Sequence, residues 1–260
     1  MSGLALAPDP SVQARRQRGI LLAAVAAGSA LAWLWLVTGH AAHGAAAGVL
    51  RAPHVHAVNL GGLALATSMW LVMMVAMMLP ALVPWLLALG RLSRPAGGRG
   101  VALFAGGYFS VWLGYSLVGA GLQLTLQQQA LLAADLRLTA SLGGLVLVGA
   151  GLFQWTPLKA ACLAHCRSPL SFFLTRWRDG PLGAFEMGWR HGLYCVGCCW
   201  ALMAVSFAVG TMNLAWMAVL TVMLGVEKIA PGGARWSRGF GLALALWGLV
   251  LLGAGLGGMA

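Results

Sequence analysis

With 260 residues, 60% of them hydrophobic and only 8% charged, the chain is not an ordinary soluble domain, in which roughly 25% of residues carry charge. Its net charge of +11 does not mark a nucleic-acid binder either, because the basic residues lie in short segments between apolar runs rather than on one soluble face. Five cysteines, an odd number without disulfide-like spacing, argue against a stapled extracellular fold.

The composition predicts an all-α, polytopic transmembrane helix bundle of about seven spans. Residues 1–18 form a short polar tail ending in Arg15, Arg16 and Arg18, placed in the cytosol. Residues 19–260 form a single helical domain. Its first span, near 19–39, is long enough for a hydrocarbon core of about 30 Å. A signal peptide cleaved near residue 45 fits the same stretch. A retained helix is preferred because the apolar run is long and Trp33 and Trp35 resemble an interfacial anchor.

A loop at 40–62 carries His40, His43, His54 and His56, which offer a capture or release point for a metal, with His54 and His56 the best pair. The second span, near 63–89, holds the run Met69 to Pro80, and Pro80 and Pro84 are expected to kink or end it. Spans three and four are expected near 101–126 and 139–158. The third carries Tyr108, Trp112, Tyr115 and Ser116 at helical spacing. A polar connection over about 159–188 leads to the fifth span, near 189–209. In it Glu186 and Arg190, four residues apart, read as an exposed helix pair. Thr211-Met212-Asn213 reads as a tight turn into a sixth span near 214–229, with Glu227 and Lys228 taken as interfacial. A seventh span, near 239–258, closes the chain.

The charges agree with this count. With the N-terminus cytosolic, 14 of the 16 basic residues fall on the inner side, and only Arg51 and Arg137 fall outside.

The chemistry lies in sulfur. Cys195, Cys198 and Cys199 fall within five residues just inside the fifth span, and Cys162 and Cys166 lie at the inner end of the fourth. The assigned topology puts both groups at one depth on the reducing side, where free thiols persist and can ligate metal. Cys162 and Cys166 share a helical face, as do Cys195 and Cys199, with Met203 one turn further on. His165 and His191 flank the cysteines and join them as candidate ligands. Met73, Met74, Met77 and Met78 form two i,i+4 pairs in span two. Methionines at helical spacing are more often packing than ligands. Beside a thiol cluster they favour Cu(I), since thioether is a poor ligand for Zn²⁺. Copper is therefore the expected metal and zinc the lesser candidate.

No H-E-x-x-H, nucleophile elbow or P-loop occurs, so no enzyme activity is expected. No carboxylate falls in the middle of a span, which weakens a proton-coupled transporter. Two competitors stay open. One is a membrane thiol–disulfide oxidoreductase using Cys195 and Cys198. The other is a structural zinc or iron–sulfur site.

Three motifs carry a family resemblance. They are Trp70-x-x-Met73-Met74-x-Ala76-Met77-Met78-x-Pro80; Gln154-x-x-Pro157-Leu158-Lys159-x-x-Cys162-x-x-x-Cys166-Arg167-x-Pro169; and Gly192-x-x-Cys195-x-Gly197-Cys198-Cys199-Trp200-x-x-Met203 with Gly210-x-Met212-Asn213 and Glu227-Lys228. Over about 65–230 the chain resembles the DUF2182 family, described as predicted metal-binding integral membrane proteins and including a membrane copper chaperone associated with a bacterial tyrosinase. The resemblance implies a multi-pass protein of the bacterial inner membrane that handles copper. Its expected partners are the lipid bilayer and a copper-dependent enzyme or periplasmic copper protein, with no nucleic acid. On this reading Cys162, Cys166, Cys195, Cys198 and Cys199 hold Cu(I), and Met73, Met74, Met77, Met78 and Met203 relay it.

Overall fold

A computed structural model describes residues 10–45, 59–92, 97–133, 136–211 and 213–257. Among these residues the chain is helical throughout apart from short connections and one isolated β-bridge between Leu132 and Leu138. In order the helices are α1 (Pro10–Ala45), α2 (Leu60–Leu92), α3 (Gly97–Gln128), α4 (Ala140–Phe153), α5 (Pro157–Cys166), α6 (Pro169–Arg176), α7 (Gly180–Val209), α8 (Leu214–Ile229) and α9 (Gly233–Gly257).

Five of these, α1, α2, α3, α7 and α9, are long and apolar enough to cross a membrane. α4 and α5 together make a sixth candidate, bent by 67° at the break between them. α8 has 16 residues, about 24 Å of helix, and falls short of the others. Large apolar side chains cover much of the outside, Val118 at 70% exposure among them, which suits contact with acyl chains better than with water.

Local sequence explains the element ends. Pro157, Pro169 and Pro181 each sit in the first turn of their helix, where the missing N–H costs nothing. Thr156 caps α5 by accepting from the Lys159 amide at 3.2 Å, and Asn213 caps α8 by accepting from the Trp216 amide at 3.2 Å. Gly210 closes α7 at φ 96°, a conformation that favours glycine. α2 does not end at its prolines: it runs through Pro80 and Pro84 to Leu92. Neighbouring helices in a bundle can re-satisfy the backbone carbonyls that a proline frees.

Glycines set the closest helix contacts. α3 packs on α7, where a side chain at Gly188 would collide with the Phe104 carbonyl and one at Gly107 with the Phe185 carbonyl. α4 packs on α9 through Gly144 against Gly248 and Gly151 against Gly241. Small residues at such crossings let backbones approach, which supplies packing energy where lipid offers no hydrophobic drive.

The connection over 159–188 differs most from the expectation. It folds as α5, as α6 and as the first turns of α7. α5 lies against α7, so the short helix carries its two cysteines onto the long one.

Candidate metal centre

Five free cysteines meet where α5 crosses α7, four of them buried and Cys162 half-buried. Cys166 Sγ lies 3.7 Å from Cys198 Sγ, bridging the two helices. On α7 the thiols of Cys198 and Cys199 both turn back to the Cys195 carbonyl, at 3.1 and 2.8 Å. Cys195 Sγ also has polar partners on two other helices. It accepts from Lys228 Nζ at 2.9 Å and shares a hydrogen bond with the Tyr108 hydroxyl at 3.0 Å. Cys162 lies one turn earlier on α5, against Gly197: a Cβ there would stand 2.9 Å from its sulfur. Glycine between the α7 cysteines therefore makes room for an α5 thiol.

The methionines divide. Met78 joins the cluster, its Sδ lying 3.6 Å from the same Lys228 Nζ that reaches Cys195. Met73, Met74 and Met77 are buried in the core of α2, and Met203 is buried one turn beyond Cys199 on α7. The histidines divide as well. His165 is exposed, stacked on Tyr194 with ring centroids 4.4 Å apart, and its Nδ1 lies 2.9 Å from the Ala161 carbonyl. His191 is buried one turn before Cys195, stacked on Trp85 at 3.7 Å, and its Nδ1 has no hydrogen-bond partner among the described residues. His40 and His43 fall at the end of α1, where their side chains are not described, and His54 and His56 lie outside the described residues.

A polar frame surrounds the thiols, and the sequence reading missed most of it. Lys159 Nζ donates to Glu227 Oε2 at 2.6 Å, with both side chains 1% exposed. Glu227, expected at an interface, is instead fully buried, because a lysine 68 residues earlier neutralises it. Its other oxygen, Oε1, has no partner among the described residues. Arg167 donates to the Glu227 carbonyl and, at 2.6 Å, to the Ala230 carbonyl, closing the C-terminus of α8. Trp85 donates from Nε1 to the Cys166 carbonyl at 3.0 Å. The available signal was scarcity: in a chain with so few charges, Lys159, Glu227 and Lys228 beside apolar runs are costly enough to suggest a role.

Glu186 and Arg190 do form the expected pair, with N to O distances of 2.9 and 3.1 Å, joined by Arg178 at 2.7 Å.

The donor set of thiols and a thioether suits a soft ion. At a tetrahedral angle two thiolates bound at about 2.3 Å to one metal stand roughly 3.8 Å apart, close to the Cys166–Cys198 separation of 3.7 Å, whereas a linear two-coordinate ion at that bond length would need the pair to part to about 4.6 Å. Among the described residues no three His, Cys, Asp or Glu side chains form a ready-made cage. No curated protein and no solved structure matches the chain significantly. A family model described as a copper chaperone does match, over residues 67–251, a region that contains every cysteine and the whole polar frame, and the chain belongs to this PpoB2 copper chaperone family.

Proposed function

We propose that the protein binds Cu(I) between Cys166 and Cys198 and passes it to a copper-dependent enzyme or a periplasmic copper protein, acting as a chaperone and not as a catalyst. The observation that carries this reading is the inter-helix thiol pair at 3.7 Å. Cys195 and Cys199 supply further thiol donors, and Met78 a thioether one residue group away. Cys162 and the buried Met73, Met74, Met77 and Met203 extend the sulfur path on either side. Stepwise exchange between soft donors would move the ion without hydrating it. The five long apolar helices support a multi-pass protein, and the notable excess of arginine between them supports a cytosolic N-terminus in a bacterial inner membrane.

The test is copper per protein after loading under reducing conditions. Changing Cys166 and Cys198 together to serine should remove most of the bound copper. Undiminished stoichiometry in that double variant would overturn the reading.

The same pair supports a second reading. Two thiols 3.7 Å apart could also close into a disulfide, as a thiol–disulfide oxidoreductase requires. A mixed disulfide trapped with a partner protein would favour that reading, whereas copper retained in the presence of excess thiol reductant favours the first.

A further inference from the structure

Three arginines converge where α6 gives way to α7. Arg176 ends α6, Arg178 lies in the connection and Arg190 stands on α7. With Thr175 and Trp177 they line an open cavity of about 430 Å³, within the usual range of small-ligand sites, roughly 300–1,000 Å³. The backbone folds back here: a Cβ at Gly183 would stand 2.6 Å from the Arg178 carbonyl, which brings Arg178 onto the first turns of α7. There Glu186 holds Arg178 at 2.7 Å and Arg190 at 2.9 and 3.1 Å, so one carboxylate sets two guanidinium forks side by side. Arg178 spends one N–H on it and Arg190 two, and a guanidinium carries more donors than that. Arg176 has no ion-pair or hydrogen-bond partner among the described residues. Asp179, the other acid nearby in the chain, accepts from the Trp177 indole at 2.8 Å. With Glu186 and Asp179 both counted, three arginines against two acids leave one positive charge in excess. Apolar side chains flank the cluster. Phe172 and Phe173 anchor α6 on Trp85, with ring centroids 5.2 and 5.6 Å away, while Leu170 and Leu174, one helical turn apart, and Leu182 are exposed.

We propose that this cavity binds the phosphate of one anionic phospholipid, with Arg176, Arg178 and Arg190 as its donors and the exposed leucines beside it meeting the acyl chains. Guanidinium forks match phosphate oxygens in pairs, which an ammonium cannot do. The phosphodiester of such a lipid carries a single negative charge, equal to the local excess. A zwitterionic headgroup brings its own cation to the arginines, so selection follows net charge. Basic pockets at the cytoplasmic ends of membrane helices are suited to this role, and the topology read from the arginines places 159–188 on that side. Trp177 adds an indole of the kind that sits at headgroup level.

This inference rests on the multi-pass reading above, and the test separates the two. Full-length protein in a neutral detergent, stripped of lipid, is titrated with micelles carrying phosphatidylglycerol, with micelles carrying phosphatidylcholine, or with inorganic phosphate. Binding is read as the rise in thermal midpoint and as lipid retained after gel filtration. The wild type should keep a single phosphatidylglycerol, melt higher with it, and respond to neither of the others. R176Q removes an arginine that has no protein partner. It should melt like the wild type before lipid is added and bind phosphatidylglycerol about tenfold more weakly. The control R15Q/R16Q/R18Q takes charge from the α1 end and should bind like the wild type. Equal weakening in R176Q and the control reduces the effect to general surface charge and overturns the site. Undiminished binding by R176Q overturns it too, as does phosphatidylcholine binding as tightly or inorganic phosphate raising the midpoint as far. Release of the chain from membranes by alkaline carbonate would instead sink the multi-pass reading, whatever the arginines bind.

Discussion

At the scale of single residues the buried Lys159–Glu227 pair carries the clearest stability consequence. Both side chains are 1% exposed and their N to O distance is 2.6 Å. Burying two charges is costly, and the pair is tolerable only because each partner neutralises the other. Lys159→Met leaves Glu227 buried and unpaired, and should cost about 3–5 kcal/mol, read as a lowered thermal midpoint in detergent. Adding Glu227→Gln should restore most of that loss, since a neutral amide needs no counter-charge. A single Lys159→Met variant that melts like the wild type would show that water reaches the pair. The thiols were legible in the sequence as a set, because Cys195, Cys198 and Cys199 are neighbours in the chain. Their polar frame was not: Tyr108, Lys159, Glu227 and Lys228 reach the site from three helices, and pairings across 33 to 87 residues leave no local trace.

Among the helices, the α3–α7 crossing is the one that fixes the site. α7 carries three cysteines, and α3 carries Tyr108, which must reach Cys195. Gly188 faces the Phe104 carbonyl with no room for a Cβ. Gly188→Val should force the helices apart, at a cost of about 2 kcal/mol or more, and weaken copper retention even though no ligand changes. Gly98, which meets nothing within 4 Å, is the control, and Gly98→Ala should leave both measurements unchanged. Hydropathy identified the long helices because an apolar run of some twenty residues has few other outcomes. It passed over α5 and α6, of 10 and 8 residues, because helices too short to span and interrupted by Lys159, His165 and Arg176 carry no such signal. It also began α7 nine residues late, at 189 rather than Gly180, since Glu186 and Arg190 make that end polar.

For the molecule as a whole, the parity of crossings decides on which sides of the bilayer the two chain ends lie. Seven spans, the number read from hydropathy and charge, would put the two chain ends on opposite sides of the bilayer. Six would put them on the same side. The deciding element is α8, whose 16 residues give about 24 Å against a core of about 30 Å. Local thinning of the bilayer accommodates a shortfall of that size at modest cost. Seven crossings are therefore proposed. A reporter active only in the cytosol should work when fused at the N-terminus and be silent at the C-terminus. Activity at both ends would demote α8 to a helix that does not cross. The family match supports copper handling at this scale without specifying the number of crossings.

The break between α4 and α5 gives the thiol pair an asymmetric mounting. Cys198 belongs to a 30-residue strut wedged into the bundle, whereas Cys166 rides on a ten-residue flap with a joint at either end. Tilting that flap alone would part the two sulfurs without disturbing the strut. Three latches resist the tilt: the Trp85 indole on the Cys166 carbonyl, Lys159 on Glu227, and Arg167 on the end of α8. Two of the three grip α8, the same helix that presents Lys228. Any displacement of α8 would thus act on the α5 clasp and on the Lys228–Cys195 contact together.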